Sequence, residues 1–320
     1  MIISVILNTF NNSNTILRCL NSVINQTFKS FECVVVDDCS TDDTVKKVVQ
    51  VIEKDSRFSL FKNNKNWGCS LSRKAGFHRS TGDYLLFIDG DDWLENDCLT
   101  RLFNKAKTES ADIVFCDYYE EREEEAKLMP QNIDLKNKNQ IVAAMASYDP
   151  YLVSSLWNKL IRRDVIAKVD FPQERYGEDM YISLQLVYYS YKYAYVNYPL
   201  YHYWVDNIVS LSNNKRKDQM RRLAMYDICQ KILRFLSTYY LTNEPFEPLL
   251  SIRVCKTALR IFEDSDLRSR RDALMLYPPA FRYLFRREVN VCLKTKIQFL
   301  LYLVKCKLIS KKNNQINYGY

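Results

Sequence analysis

The 320-residue sequence predicts an α/β fold: a mainly parallel sheet with helices on both faces, followed by a helical extension. Short, near-continuous apolar runs alternate with amphipathic stretches as far as about residue 117, which is typical of parallel strands joined by crossover helices. The composition agrees, because 47% hydrophobic and 26% charged residues are usual for a globular chain that buries a full core.

Five strands and the helices between them follow in order from this alternation. Short apolar runs predict buried strands, whereas apolar residues at every third or fourth position predict helices. We expect polar residues to cap the first two helices, Asn12 or Ser13 at the first and Thr41 at the second. The predicted strands are Ile2–Leu7, Phe31–Val36, Phe58–Phe61, Tyr84–Ile88 and Ala111–Cys116, and later helices are Leu71–Arg79 and Leu94–Lys107.

The second half of the chain is less regular. The charge run Glu120–Glu125 predicts a solvated loop or a helix end, and the aromatic runs Tyr193–Tyr198 and Leu200–Val205 predict strands. Beyond Lys215 the apolar spacing is helical and stays so. We therefore expect a main domain at residues 1–213, with halves 1–117 and 118–213, and a basic helical extension at 214–320.

The cysteines and the amino terminus indicate the cellular compartment in which the protein is expected. The ten cysteines form no CxxC pair and no metal-type spacing with His78 or His202, which favours a reduced environment. The opening MIISVIL has no basic residue before its apolar stretch, so it predicts a strand and not a signal peptide. No run of eighteen apolar residues occurs, and we expect a cytoplasmic protein without a membrane-spanning helix.

Three polar clusters follow predicted strands. They are Thr9-Phe10-Asn11, Asp37-Asp38-Cys39-Ser40 and the run Asp89–Asp92. Parallel sheets bind ligands at the carboxyl ends of their strands, so we expect the three clusters to meet at one site. A carboxylate after the second strand can accept hydrogen bonds from a base or ribose, and Phe10 could stack on the base.

The third cluster predicts a metal. Neither GxGxxG nor GxxxxGK[ST] occurs, so a diphosphate needs another source of positive charge, and a divalent cation held by carboxylates is the usual one. Asp89 and Asp91 project in the same direction from a strand end, which suits a shared metal and ribose site. Asp92 is expected to cap the following helix, and Asp91 to be the ligand.

These segments together resemble a family of enzymes. The chain resembles family 2 glycosyltransferases with the GT-A fold, a Rossmann-like nucleotide-diphospho-sugar transferase fold, in the group that builds bacterial capsular, exopolysaccharide or lipopolysaccharide chains. The resemblance covers about Ile2 to Ser212. It rests on SVILNTFNN, VVVDDCSTDDT, NWGCSLSRKAG, GDYLLFIDGDDWL, SLWNKLIRRDV, YGEDMYISLQL and PLYHYWVDNIVSLS, in their positions along the chain.

The resemblance implies roles for individual residues. It implies that Asp179, in the pair Glu178-Asp179, is the general base, although acids are also common at helix amino termini. It implies that Asp89 touches the ribose and that Asp91, with Asp89, binds Mn²⁺ or Mg²⁺ on the diphosphate. The other implied donor-binding residues are Thr9, Phe10, Asp38, Asn66 and Arg73. Asn8 replaces the usual proline and Lys74 the usual asparagine, which leaves the geometry of the donor loop open.

Three further residues have two interpretations each. Trp157 is expected in the core in preference to an acceptor platform. Lys159 is either exposed or reaches the leaving phosphates. His202 could be a second metal ligand, but a hydrogen-bonded structural histidine is the preferred interpretation.

The expected reaction is a single inverting displacement, because one base and no nucleophile are identified. The expected donor is a UDP-sugar, and the acceptor is a glycan or a lipid-linked glycan. Two alternative functions for the protein stay open. A nucleotidyltransferase would show a Gly-rich basic loop near its amino terminus, and a phospho-receiver domain would carry its acids after the first and third strands.

The excess of basic charge lies in the last part of the chain, from residue 280 onward, which we call the tail. From residue 280 onward nine basic residues stand against one acid, which accounts for the net charge of +8 of the whole chain. The apolar run Ile297–Val304 is too short to span a bilayer and is flanked by lysines. Residues 280–312 therefore predict either peripheral contact with the inner face of the cytoplasmic membrane or a packed helix. Nucleic acid is not an expected partner, since no reader motif accompanies the charge.

Overall fold

The computed structural model describes residues 1–130, 138, 141, 154–205 and 218–239. The strands are β1 (Ile3–Thr9), β2 (Phe31–Asp37), β3 (Phe58–Lys62), β4 (Tyr84–Asp89), β5 (Trp93–Leu94), β6 (Ile113–Glu121), β7 (Ala126–Met129), β8 (Lys159–Arg162) and β9 (Tyr193–Trp204). The helices are α1 (Ile16–Ile24), α2 (Thr44–Ile52), α3 (Cys69–Arg79), α4 (Cys98–Glu109), α5 (Arg163–Ile166), α6 (Glu178–Tyr189) and α7 (Asp218–Tyr239).

One sheet contains all of these strands. Its order is β3-β2-β1-β4-β8-β6-β9-β5, with β7 paired to β6. The first four strands pair in parallel, as predicted. Beyond β4 the sheet is mixed, because β8 enters antiparallel between β4 and β6, while β6 and β9 pair in parallel. The predicted α/β fold is confirmed: β1 to β4 form an unbroken parallel group, and the antiparallel β8 separates it from the parallel pair β6 and β9.

Helices cover both faces of the parallel half. Ile3, Val5 and Leu7 of β1 share one buried cluster with residues of α1, α2 and α4. The intervening Ile6 points to the opposite face, as the two-residue period of a strand requires. There α3 comes so close that a Cβ added at Gly76 would lie 2.3 Å from Ile6 Cγ2. This close approach requires glycine at position 76.

The predicted helix starts were wrong in three places. The N-cap positions are Thr15 for α1 and Asp43 for α2, not Asn12, Ser13 or Thr41. Helix α4 begins at Cys98 and not at Leu94, because Trp93 and Leu94 first form β5 against β9. The local apolar pattern did not show this extra strand, since pairing with β9 creates it.

Two further segments differ in part from their predicted form. The charge run Glu120–Glu125 contains the end of β6 and the exposed turn to β7, so the expected solvated loop is confirmed for Arg122–Glu125 and the helix end was wrong. The two aromatic runs after residue 192 form one strand, β9, whose register against β6 shifts between Cys116 and Tyr118. The shift lets one long strand follow two different segments of β6.

The predicted long helix of the extension is present as α7. Its buried residues Ile228, Cys229, Ile232 and Phe235 recur at helical spacing. The chain divides into two compact units, and the first includes the described residues as far as Asp218. The described helices include none with the length and apolarity needed to cross a membrane. The predicted tail contact at residues 280–312 lies outside the described residues.

Candidate functional site

The predicted polar clusters meet at the carboxyl ends of β1, β2 and β4. Thr9 lies opposite Asp37 in the β1–β2 register, and Asn8 lies opposite Asp89 in the β1–β4 register. The chain runs from β1 outward to β2 and β3, then returns to place β4 on the other side of β1. This is a topological switch point, the position where open α/β sheets bind ligands.

The turn at residues 89–92 is held through its backbone. Gly90 O accepts a hydrogen bond from Thr15 Oγ1 at 3.0 Å, and Asp91 O accepts one from Arg18 Nη2 at 2.8 Å. The side chain of Asp91 is partly exposed. Helix α1 and its N-cap residue Thr15 therefore fix the backbone of the turn that follows Asp89 and carries Asp91.

Asp92 does not cap helix α4, which corrects the prediction. Its side chain is buried, with one oxygen accepting from Tyr201 Oη at 2.5 Å and the other from Trp204 N at 2.8 Å. Burial, with the charges of Asp91 and Asp89 beside it, raises the pKa of Asp92 well above its ordinary value. Asp92 thus joins the turn to β9, and the N-cap position of α4 belongs to Asp97.

Arg73 joins two of the predicted site carboxylates. Its Nη1 donates to Asp179 Oδ1 at 2.6 Å, and its Nη2 donates to both oxygens of Asp89 at 2.9 and 3.1 Å. The Arg73 side chain is 4% exposed, whereas the two carboxylates are each 26% exposed. Burial opposes the charge on Arg73, but Asp179 and Asp89 hold its pKa above the ordinary value. The guanidinium therefore lies beneath two acids that face the open edge of the site.

Glu178 and Asp179 begin helix α6, directly after Gly177, which has a positive φ of 77°. Burial raises the pKa of Glu178 to about 7, and the charge of Asp179 adds to the effect. Burial also raises the pKa of Asp179, although Arg73 opposes it. Asp179 is the more exposed of the two acids, so it is the one that a substrate can reach.

Asp38 shapes the loop at residues 63–68. Its carboxylate accepts hydrogen bonds from Asn63 Nδ2 at 2.8 Å, Trp67 N at 2.7 Å and Gly68 N at 2.8 Å. The same loop carries Asn66, a predicted donor-binding residue. Asp38 is therefore buried under the loop, and its predicted contact with base or ribose stays a prediction.

Thr9 and Phe10 lie at the same edge. Thr9 is buried and its Oγ1 donates to Asn12 Oδ1 at 2.9 Å, so the hydroxyl holds the turn after β1. Phe10 is 39% exposed, which leaves its ring available to a ligand. Arg175, which the sequence pattern did not indicate, joins this edge: its Nη2 donates to Asn66 O at 2.6 Å. Its position in the segment before Glu178 was the available signal.

The carboxylates at this site can hold a divalent cation only if a bound molecule supplies further oxygen ligands. Asp89 and Asp91 offer hard carboxylate oxygens, but no group of three or more His, Cys, Asp or Glu side chains is placed to hold a metal in the described part of the chain. Magnesium commonly takes one or two carboxylates and completes its shell with substrate phosphates. Buried polar atoms without a partner also lie in β1 and α3, namely Asn8 Oδ1, Ser70 Oγ and Arg73 Nε. Such atoms are expected to bind water or a ligand.

The preferred interpretations of two aromatic residues are confirmed. His202 contacts Glu121 Oε1 through Nδ1 at 2.7 Å and Glu95 Oε1 through Nε2 at 3.1 Å, so both ring nitrogens are occupied and it is a structural histidine. Trp157 is 9% exposed and stacks on Tyr201 with 4.5 Å between ring centres, as expected of a core residue.

The structure tests one of the two interpretations of Lys159, and its reach to the leaving phosphates stays a prediction. The side chain is 1% exposed, so the expectation of an exposed lysine was wrong. Its ammonium donates to Ser155 O and, at 2.8 Å, to Asn158 Oδ1. Apolar pairs flank it in the sequence, Leu156-Trp157 and Leu160-Ile161, but such neighbours do not by themselves indicate that a lysine is buried.

Comparison with known proteins gives the family. Residues 4–170, just over half of the chain, match the family model described as Glycosyl transferase family 2. Putative glycosyltransferase EpsH of Bacillus subtilis is 28% identical over 232 residues, which cover 70% of this chain and 67% of EpsH. Glycosyltransferase GlyA of Streptococcus pneumoniae is 31% identical over 213 residues, or 63% of this chain, and the match spans only 30% of GlyA.

The fold has a solved counterpart. The structure of TarS residues 1–349 from S. aureus in complex with UDP-GlcNAc superposes with a TM-score of 0.74 and 18% identity, covering 97% of this chain and 89% of that one. At this identity the likeness supports the GT-A type fold alone. The family model carries the assignment of activity: the chain belongs to glycosyl transferase family 2 and is a glycosyltransferase.

Proposed function

We propose that the protein transfers a sugar from a UDP-sugar to a hydroxyl of a glycan or lipid-linked glycan in bacterial surface polysaccharide synthesis. The observation that carries the proposal is the Arg73 bridge, because it brings Asp89 at the end of a nucleotide-side strand next to Asp179 at the start of helix α6. The UDP-GlcNAc bound to TarS supports UDP as the nucleotide.

The donor would bind over the ends of β1, β2 and β4. Thr9, Phe10 and Asp38 would hold the base and ribose, with Asn66 and Arg73 completing the donor site. Asp89 and Asp91 would hold Mn²⁺ or Mg²⁺ together with diphosphate oxygens. When bound, the cation supplies Lewis-acid stabilisation of the departing diphosphate.

Asp179 would act as the general base on the acceptor hydroxyl. Arg73 at 2.6 Å favours the ionised carboxylate, and the Asp179 side chain is 26% exposed, which leaves it accessible to an acceptor hydroxyl. A well-placed base contributes about 10²–10⁴-fold to the rate. With one base proposed and no nucleophile identified among the described residues, the simplest reaction would be a single displacement with inversion at the anomeric carbon.

A screen of nucleotide-sugar turnover tests this function. Purified protein is incubated with UDP-, GDP- and dTDP-sugars with Mn²⁺, with Mg²⁺ and with EDTA, and release of nucleoside diphosphate is measured. We expect release from a UDP-sugar that depends on added cation. Turnover of GDP-sugars alone would overturn the choice of base, and full activity in EDTA would overturn the role of the metal.

We further propose that residues 280–312 bring the enzyme to the inner face of the cytoplasmic membrane. Nine basic residues beyond position 280 and the short apolar run Ile297–Val304 support this proposal, because each basic residue near an anionic surface adds about 1 kcal/mol.

Flotation with anionic and neutral vesicles tests the membrane contact. We expect the full chain to float with anionic vesicles at low salt and to be released at high salt, because salt screens exposed charges. A chain truncated near Pro279 should still hydrolyse donor but lose activity on a membrane-embedded acceptor. If the full chain ignores anionic vesicles, or if truncation unfolds the enzyme, the tail is a packed structural element.

A further inference from the structure

Lys159 is a buried cation that the proposed reaction does not use. It begins β8, the antiparallel strand between β4 and β6, and its side chain is 1% exposed. Its ammonium donates to Ser155 O and Asn158 Oδ1 and lies 5.3 Å from the centre of the Phe115 ring. Burying an ammonium is unfavourable unless nearby acceptors and charges stabilise it, so this position needs an explanation.

The charges around Lys159 point to Asp179. Burial lowers the pKa of Lys159 to about 7, and the charge of Asp179 on α6 opposes this. At Asp179, in turn, burial raises the pKa, and the two cations that oppose this are Arg73 and Lys159. Arg73 is shared with Asp89, whereas Lys159 has no such second acid among these partners.

The loop that Lys159 binds also contacts the helix that carries the base. Residues 154–158 lie directly before β8, and Ser154 O accepts from Ser183 Oγ of α6 at 3.1 Å. The ammonium of Lys159 binds two residues of this loop, Ser155 through its carbonyl and Asn158 through Oδ1. Asp179 lies one helical turn before Ser183 on α6. The lysine therefore holds the loop that packs on α6 beside the turn that carries Asp179.

We propose that Lys159 is a positioning residue for Asp179, holding the 154–158 loop against the helix that carries the carboxylate and stabilising that carboxylate by its own charge. The inference rests on the proposed role of Asp179 as general base. Lys159 acts from beneath the site and contacts neither donor nor acceptor. It differs in this from Arg73, whose guanidinium lies between the donor-side and base-side acids.

The pH dependence of kcat/KM for the acceptor tests the proposal. A base must be deprotonated to act, so a change that raises its pKa moves the low-pH fall of activity to higher pH. We expect Lys159→Met to shift this acid limb upward by about one pH unit, with an unchanged KM for the donor. Lys168→Met is the matched control, since it removes an exposed lysine after the same strand and should leave the limb in place.

Asn158→Asp provides a second variant if Lys159→Met does not fold. It keeps the lysine but places a carboxylate beside its ammonium, so the net positive charge near Asp179 falls. The pKa of Asp179 should then rise, and the acid limb should again move to higher pH. Lost activity with an unmoved acid limb in both variants would overturn the proposal and leave Lys159 a purely structural residue. The turnover of Asp179→Asn separates the positioning role of Lys159 from the base role of Asp179. Wild-type turnover in this variant would mean that Asp179 is not the base.

Discussion

Asp179→Asn is expected to lower turnover by about 10²-fold or more while donor affinity is unchanged. The amide cannot accept the proton of the acceptor hydroxyl, but it has nearly the shape of the carboxylate. Its oxygen can still accept the hydrogen bond that Arg73 Nη1 now donates to Oδ1. Steady-state turnover with saturating donor, compared with calorimetric binding of UDP, measures the two quantities separately.

Glu178→Gln is the matched control for this substitution. It makes the same change at the adjacent position, where the side chain is 9% exposed and burial raises the pKa to about 7. If the reaction uses Asp179, the Glu178 variant keeps most of its turnover. If Glu178→Gln is crippled and Asp179→Asn is not, the base is Glu178 and the assignment is wrong, although the family membership is unaffected.

The sequence was sufficient for the parallel half of the fold and for the edge that binds ligands. Strands β1, β2 and β4 are continuous apolar runs that end in polar clusters, so both their burial and the position of the site follow from the local pattern. The bounds in the structure differ from the predicted ones by only one or two residues. The carboxyl-end rule then brings Thr9, Asp38 and Asp89 together without further information.

The contacts that organise the site could not be predicted in this way, because they join distant parts of the chain. Arg73 and Asp179 are 106 positions apart, and Asp92 and Tyr201 are 109 positions apart. From its neighbours alone, Asp92 resembles a helix cap. It became a buried partner of β9 because Trp93 and Leu94 form a strand before the helix begins. Burial of Lys159 likewise depends on β8 lying between β4 and β6.

The resemblance to a family contributed what local patterns did not. It implied Arg73 as a donor-binding residue and Asp179 as the base, and the structure places the two within 2.6 Å of each other. It did not indicate that one guanidinium also binds Asp89. Because of this shared partner, a substitution at Arg73 would disturb both halves of the site, so Arg73 is a poor position for separating donor binding from base catalysis.

Asp91→Asn is expected to abolish the metal-dependent part of donor binding while the fold stays intact. The side chain is partly exposed, and Arg18 donates to the backbone carbonyl of Asp91, which asparagine also has, so the turn should keep its shape. Losing an outer-sphere partner already costs about 10–100-fold in metal affinity, so loss of a ligand should cost at least as much. Calorimetric titration of UDP with Mn²⁺ and with EDTA measures the effect.

Asp97→Asn is the matched control for Asp91→Asn. Its carboxylate lies on the same connection between β4 and α4, is 37% exposed and pairs with Arg101, so it should bind UDP and Mn²⁺ as the unchanged protein does. Thermal melting of both variants shows whether the fold is kept. An Asp91 variant that melts normally and binds UDP with the same gain from Mn²⁺ as the unchanged protein would show that Asp91 is not a ligand. Asp89 would then remain as the metal ligand, and Arg73 would have to share it with the cation.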